Sequence, residues 1–387
     1  MFIFDEPYIS DIAIDYLVES KQPTVLTEFS SKAMLEGVNS LSKDQARELI
    51  SKNNNSWLYT NSENAIATIV DLVGEDSPIM QKVRFFKNKF EFREATKHLF
   101  ADIFYKEISG KQIEALTFAE IGKPFIIKPT VGFLSAGVYR VNDDNEWSEV
   151  KKEIVEKTND VATTFPKDVI DSSTFLIESI IEGIEYAIDV YFDENNQPVV
   201  LNILEHRFNG EHDMGDRLYV TSAEIIKKNL SRVEGFLRQL SSISDFRGFP
   251  LHVEVRIDED GKVRPIEVNP LRFAGWCSTD IAYYAFGVNV YEYFIERKKP
   301  DWEDIFELKS EREFAIAILE KRELVPENVV FDYEKLSASL TSLVKLRPIN
   351  YRKQPLFAFL FLETSESNAK ELDFLLTLDP HVFLDTV

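Results

Sequence analysis

Cysteine is almost absent from this chain. Cys277 is alone in 387 residues, so no intrachain disulfide and no cysteine-based zinc site can form. A solitary cysteine most often packs as a small apolar side chain. Long hydrophobic runs are missing too. No stretch approaches the about 18 apolar residues of a membrane-spanning helix, and the opening Met1-Phe2-Ile3-Phe4-Asp5-Glu6 has acids where a secretory signal needs basic residues. The expectation is a cytoplasmic protein with no membrane partner. Positive charge is scarce: 44 Lys and Arg face 66 Asp and Glu, a formal charge of −22, which argues against nucleic acid as a general partner. A local basic phosphate pocket is compatible with that balance. The dinucleotide fingerprint G-x-G-x-x-G and the Gly-Lys-Ser/Thr of a P-loop are both missing. So are internal repeats and low-complexity tracts.

What is present describes a globular chain too long for one ordinary core, with two or three domains as the expectation. Over residues 1–85, short apolar runs (Phe2-Ile3-Phe4, Thr24-Val25-Leu26, Trp57-Leu58-Tyr59) alternate with helical patterns near 10–20, 42–52 and 62–73, a small α/β layer. Residues 86–107 read as helical. A buried strand, Phe125-Ile126-Ile127-Lys128-Pro129, then leads into a small-residue loop and a strand at Val138–Val141. A charged helix near 146–158 and the strand-like Thr174–Ser179 follow. A hairpin then pairs residues 185–192 with 198–205, and a polar loop at 207–219 precedes a helix over 222–241. Residues 310–387 carry two apolar strands and a helix, a small α+β cap.

The densest chemistry lies at 252–269. Asp260-Gly261 predicts a two-residue type I′ turn between two alternating strands. Counting from that turn sets Glu254 opposite Glu267 and His252 opposite Asn269. Like charges facing each other across a strand pair are destabilising. Two carboxylates and an amide on one face suit a hard cation, Mg2+ or Mn2+, of the kind that also holds phosphates. A solvated acidic face is the structural alternative.

Other candidates are weaker singly. Lys128 ends a strand before a loop in which Gly132 and Gly137 allow close backbone approach and Ser135 offers a hydroxyl; backbone N–H groups in such loops cradle phosphates. Glu178 and Glu185 bracket a bend, either as acceptors for a ribose or adenine amino group or as solvated strand ends. Arg272 and, with less support, Arg217 read as carboxylate or oxyanion partners, or as ordinary salt bridges. His252 reads as a ligand, a substrate contact or a structural histidine.

Taken in order, these pieces resemble the ATP-grasp superfamily, from about Lys89 to about Phe294. The stretch from Phe125 to Lys128-Pro129, followed by Gly132-Phe133-Leu134-Ser135-Ala136-Gly137, is similar to the family's lysine strand and phosphate loop. Asn88-Lys89 resembles its earlier nucleotide-binding lysine, with Asn in place of the usual Asp. Leu176-Ile177-Glu178 through Glu185 resembles the segment linking the subdomains. Glu254 with Glu267-Val268-Asn269 resembles the E…E-x-N magnesium signature. The family's arginine usually stands two positions after that asparagine; here Leu271 occupies the place and Arg272 follows.

The resemblance implies two α+β subdomains clasping ATP over 86–300 (86–173 and 174–300). An α/β pre-ATP-grasp domain would precede them at 1–85, and a small α+β lobe would follow at 301–387. It implies Lys89 and Lys128 on the phosphates, and Glu178 with adjacent backbone, Ile181 included, at adenine. Glu185 falls at the ribose, magnesium on Glu254, Glu267 and Asn269, and Arg272 on the acid substrate. The implied activity is ATP-dependent joining of a carboxylate to an amine through an acylphosphate, in a branch acting on amino acids or dipeptides, with a homodimer among the states open to it. Alternatives are a thiol or phosphorylated-metabolite acceptor, or a non-catalytic ATP-binding regulator.

Overall fold

Short apolar runs at the N-terminus become buried parallel strands. The computed structural model describes all residues except 34, 53–56, 132–136, 162–173, 211–214, 310–311 and 387. Strands β1 (Phe2–Ile3), β2 (Thr24–Val25), β3 (Ser40–Leu41) and β4 (Tyr59–Thr60) form a sheet in the order β3-β2-β1-β4. Two-residue strands offer few ladder bonds, and aromatic packing adds to them: the Phe2 ring centroid lies 5.8 Å from Phe4 and 5.6 Å from Tyr59. The helices expected here run over Asp11–Ser20, Lys43–Lys52 and Ile66–Val73.

A second sheet contains β5 (Tyr105–Ser109), β6 (Phe125–Pro129), β7 (Tyr139–Val141) and β8 (Thr174–Ser179), in the order β5-β8-β6-β7 and antiparallel throughout. It has its own core, built on Phe125, Ile127, Ile177 and Trp147, whose indole N–H donates to the Leu116 carbonyl at 2.9 Å. Two sequence expectations change here. The single helix over 86–107 is two helices, Pro78–Lys87 and Lys89–Thr96, followed by β5. Asn88 separates them because its side chain accepts from the Phe90 and Glu91 amides as an N-cap. Strand β5 lies at the sheet edge and fully buries only Ile108, so it shows no period-two apolar signal. Strand β8, grouped above with the second subdomain, pairs with β5 and β6, so the crossover to the next sheet comes after it.

The largest sheet has eight strands. β9 (Ile184–Phe192), β10 (Pro198–Arg207), β11 (Leu218–Ser222), β12 (Pro250–Ile257) and β13 (Val263–Pro270) come from the middle of the chain. Farther on lie β14 (Glu313–Glu320), β15 (Val329–Phe331), β16 (Leu343–Pro348), β17 (Leu356–Thr364) and β18 (Leu384–Thr386). The order is β13-β12-β9-β10-β11-β14-β17-β16, with β15 and β18 paired as a separate ribbon. Residues 301–387 thus add three strands to the central sheet, beyond the lobe expected of them. One apolar cluster runs from Phe2 and Tyr59 through this sheet to Phe359 and Leu375. Among the described residues, no helix is long and apolar enough to cross a membrane.

Gly183, between β8 and β9, has φ +118°, and a Cβ there would lie 2.5 Å from the Ile257 carbonyl oxygen. A backbone atom cannot swing aside as a side-chain tip can. Gly183→Ala should therefore cost about 1–3 kcal/mol and lower the thermal midpoint. An unchanged melting curve would refute this account of the crossover.

Candidate active site

The hairpin β12–β13 brings the acids together, though not through the turn expected. The ladder ends at Ile257 opposite Val263, and the Asp258 amide donates to the Lys262 carbonyl at 3.2 Å, leaving a three-residue loop, Glu259-Asp260-Gly261. The Gly261 amide donates to the Asp258 carbonyl at 2.9 Å, and Gly261 has φ +79°. That turn shifts the register by one residue. A β-bulge at Ile266 shifts it back, so Glu254 does face Glu267 and His252 does face Asn269. The bulge sits beside Pro265, which has no N–H to give a ladder and is tolerated on an edge strand at such an irregularity.

The pairings extend this face across the whole sheet. Side chains at directly paired positions point the same way, and alternate residues share a face. His252 and Glu254 pair with Asp189 and Ala187. Ala187 pairs with Leu204, and His206 with Tyr219. Tyr219 pairs with Ile316, Ile318 with Phe359, and Phe359 with Arg347. One surface therefore grades from carboxylates and an amide at the β13 edge to aliphatic and aromatic side chains at β14 and β17.

Two cavities lie over that surface. One, of about 150 Å3, is lined by Lys89, Lys128, Glu178, Ile181, Glu185, His206 and Arg256, with Glu254 and Glu267. The other, of about 130 Å3, is lined by His252, Asn269, Arg272, Trp276, Ile316, Ile318 and Phe359, with the same two glutamates. Asp216 also lines both. The acids stand where a cationic cavity meets a partly apolar one.

The electrostatics follow from that crowding. Burial and the facing charge of Glu267, with Asp216 and Glu185 behind it, push the Glu254 carboxyl well above its usual range. Burial acts the same way on Glu267, but Lys89 at 2.9 Å, with Lys128 and Lys87, outweighs it and holds this carboxyl low. A divalent cation would relieve the repulsion, and the donor set of Glu254, Glu267 and Asn269 suits Mg2+ or Mn2+. Among the described residues there is no group of three or more His, Cys, Asp or Glu at metal-binding spacing, so the amide would have to complete the set.

Glu178 is buried between Lys128 Nζ at 2.5 Å and Arg93 Nε at 2.8 Å. Burial favours its neutral form, but the two cations prevail and hold it at about 2. Burial pulls the Lys128 ammonium down against the attraction of Glu178. Both terminal nitrogens of Arg93 are buried with no hydrogen-bond partner among the described residues, leaving unused positive donors in this cationic cluster. Glu185 is engaged by His206 at 3.0 Å and by Arg256 at 3.0 and 3.1 Å, and the Ile181 carbonyl accepts from Arg256 at 2.8 Å. Gly137 has φ +77° and precedes Val138, a lining residue of the cationic cavity; Gly132 and Ser135 fall outside the described residues.

Arg272 enters the second cavity because of its predecessor. Leu271 has φ +62°, a left-handed turn that redirects the chain one residue after β13 ends. The Leu271 carbonyl accepts from the Thr60 amide at 2.7 Å, and Arg272 Nη2 lies 3.5 Å from Glu63, so the N-terminal layer anchors this arginine. The Asp189 carboxylate accepts from His252 Nδ1 at 2.8 Å, a structural pairing as well as a place in the cavity wall. Arg217 lines neither cavity. It reaches away to donate to the Leu378 carbonyl, and thereby ties the loop before β11 to the C-terminal segment. Cys277 is buried and its thiol is pushed up to about 12, which leaves no thiolate at neutral pH.

Sequence reasoning missed Asp189, Arg256 and His206. Asp189 also accepts from the Ala274 amide at 2.8 Å and the Thr279 hydroxyl at 2.6 Å, and so fixes the segment after Arg272. The signal was available: Glu185, Ala187 and Asp189 follow the same period of two that aligned Glu254 with Glu267.

Residues 121–280 match the ATP-grasp domain family. A comparison with curated protein sequences finds no match. Among solved structures, the chain is similar to the L-amino acid ligase from Bacillus licheniformis, with 15% identity and a TM-score of 0.64 over 100% of this chain and 98% of that one. It is similar to N5-carboxyaminoimidazole ribonucleotide synthetase from Thermotoga maritima, with 13% identity and a TM-score of 0.63 over 100% and 98%. A biotin carboxylase–β-γ-ATP complex from Campylobacter jejuni gives 12% identity and a TM-score of 0.63 over 94% of this chain and 87% of that one. At such identities the likeness is one of fold. The ATP-grasp fold expected from the order of the motifs is the fold of this chain.

Glu178→Gln should destabilise the protein by about 3 kcal/mol, because it leaves Lys128 and Arg93 buried without their anion. The folded-state value of Glu178 lies below its usual 4.5, so its contribution is present above that pH and is lost as pH falls toward about 2. Urea unfolding across pH should show the two proteins well separated near neutrality and converging in acid. A gap that persists at low pH would contradict the ion-pair account.

Proposed function

We propose that this protein, which carries an ATP-grasp domain, is an ATP-dependent ligase that joins a carboxylate to an amine. The observation that carries this reading is the junction itself. Glu254 and Glu267 line both a cavity rich in lysine and arginine and a second cavity that holds Arg272. A triphosphate in the first would point its terminal phosphate at an acid in the second.

The residues then divide the work. Lys89 and Lys128 supply positive charge around the phosphates, with Arg93, paired to Glu178 behind them, adding to the field. Glu254, Glu267 and Asn269 would hold Mg2+ or Mn2+, which would offset the negative charge that develops on the phosphate oxygens. Arg272 aligns the acid, and one carboxylate oxygen attacks the γ-phosphorus. The bond from that phosphorus to the bridging oxygen breaks, leaving ADP and an acylphosphate. The amine attacks the activated carbonyl carbon, the C–N bond forms, and the tetrahedral intermediate expels phosphate as the amine loses a proton. Arg272 would also steady the oxyanion of that intermediate. The Leu271 turn and the contact from Glu63 fix its position before substrate arrives.

The test combines Mg-ATP with pooled amino acids and follows ADP and phosphate release. Glu267→Gln should reduce stimulated release to below about a thousandth of wild type while leaving the circular dichroism spectrum and melting temperature near wild type. Turnover within a few-fold of wild type in that variant would remove the metal assignment. No stimulated release by the wild type over a broad panel would remove the ligase reading.

A further inference from the structure

The second cavity is polar on one side and apolar on the other, and three of the four apolar side chains come from a distant part of the chain. Arg272 and the acids form the polar side. Ile316 and Ile318 of β14, Phe359 of β17 and Trp276 form the apolar side. Register requires this arrangement, since Ile318 lies directly opposite Phe359 and two residues from Ile316 on the same face. Ile318 remains half-buried, open toward the cavity.

Trp276 is held there against its backbone preference. Trp276 and Cys277 both have φ +55°, a region costing bulky L-residues on the order of 1–3 kcal/mol each. Arg347 of β16, which pairs with Phe359 of β17, donates to the Trp276 carbonyl at 2.9 Å and to the Cys277 carbonyl at 3.0 Å. Its guanidinium lies over the rings of Tyr8 and Phe361 and is paired with the buried Asp280. The result is a Trp276 ring centroid 5.9 Å from that of Phe359, closing the apolar wall. Strain maintained by a buried ion pair at a cavity edge marks placement for a ligand.

We propose that the acid taken by this site carries a non-polar side chain, with its carboxylate toward Arg272 and its side chain against Ile316, Ile318, Phe359 and Trp276. This rests on the ligase reading above and names its substrate class. The cavity of about 130 Å3 has room for on the order of ten water-sized groups, the scale of an aliphatic or small aromatic amino acid. A charged or amide side chain would lose its water there and find no hydrogen-bond partner on Ile316, Ile318 or Phe359.

The experiment presents Mg-ATP, hydroxylamine as a small general amine, and single carboxylic acids differing only in side chain, and measures ADP and hydroxamate. Apolar amino acids should exceed those with acidic, basic or amide side chains by at least about a hundredfold in kcat/KM. Ile318→Ala should shift preference toward bulkier apolar acids by about tenfold, and Ile318→Asp should lower turnover of apolar acids by more than about tenfold. Charged or amide acids among the best wild-type substrates would overturn this inference and leave the ligase reading standing. So would an order of preference unmoved by well-folded Ile318 variants. Silence with every acid would overturn the ligase reading, and this inference with it.

Discussion

Two carboxylates that face each other in a cleft repel, and much of this architecture is arranged around that repulsion. Glu254 and Glu267 occupy paired positions on adjacent strands, where neither can turn away without leaving the sheet face. Lys89, at the start of its helix, meets one of them, while the other is left with its carboxyl driven toward the neutral form. The site is therefore pre-set for additional positive charge. The surrounding groups belong to the same balance: Lys128 pairs with Glu178, and Arg256 with Glu185, so each of these acids has a cation beside it.

Around that centre, the sheet acts as a single graded surface. Because antiparallel partners share a face, one alternation of residues carries the acids, the Asp189–His252 pair, Tyr219, and finally Ile316, Ile318 and Phe359. The gradient needs strands from both the middle and the end of the chain. The segment after β13 is then shaped over it by three left-handed residues, Leu271, Trp276 and Cys277, each restrained by a buried polar contact. Thr60, Asp189 and Arg347 supply or support those restraints from three different parts of the fold.

Much of this is legible in the amino-acid sequence. The facing acids could be counted from a turn dipeptide, and the order of lysine strand, small-residue loop, linking glutamates and acidic hairpin pointed to the fold. The count succeeded partly through compensation. The turn is one residue longer than Asp260-Gly261 suggested, and the bulge at Ile266 cancels the slip. An edge strand such as β5, with a single fully buried residue, leaves no periodic trace and was read as helix. Arg217 and Arg272 carried the same two readings in sequence, a carboxylate or oxyanion partner or an ordinary salt bridge. Only packing separates them, sending one to Leu378 and the other into the cavity.

The sequence by itself determined the alternation that places each side chain on one face or the other, because a period of two is local to a strand. It also determined which residue types could meet phosphate and metal. Tertiary structure alone decided which strands became neighbours: that β14 and β17 would extend the same sheet, that Arg347 would reach the Trp276 turn, and that Asp189 would orient His252. The last two contacts join residues 71 and 63 positions apart. Their energy comes from burial and hydrogen bonds made only when the whole sheet closes, so no local pattern can announce them.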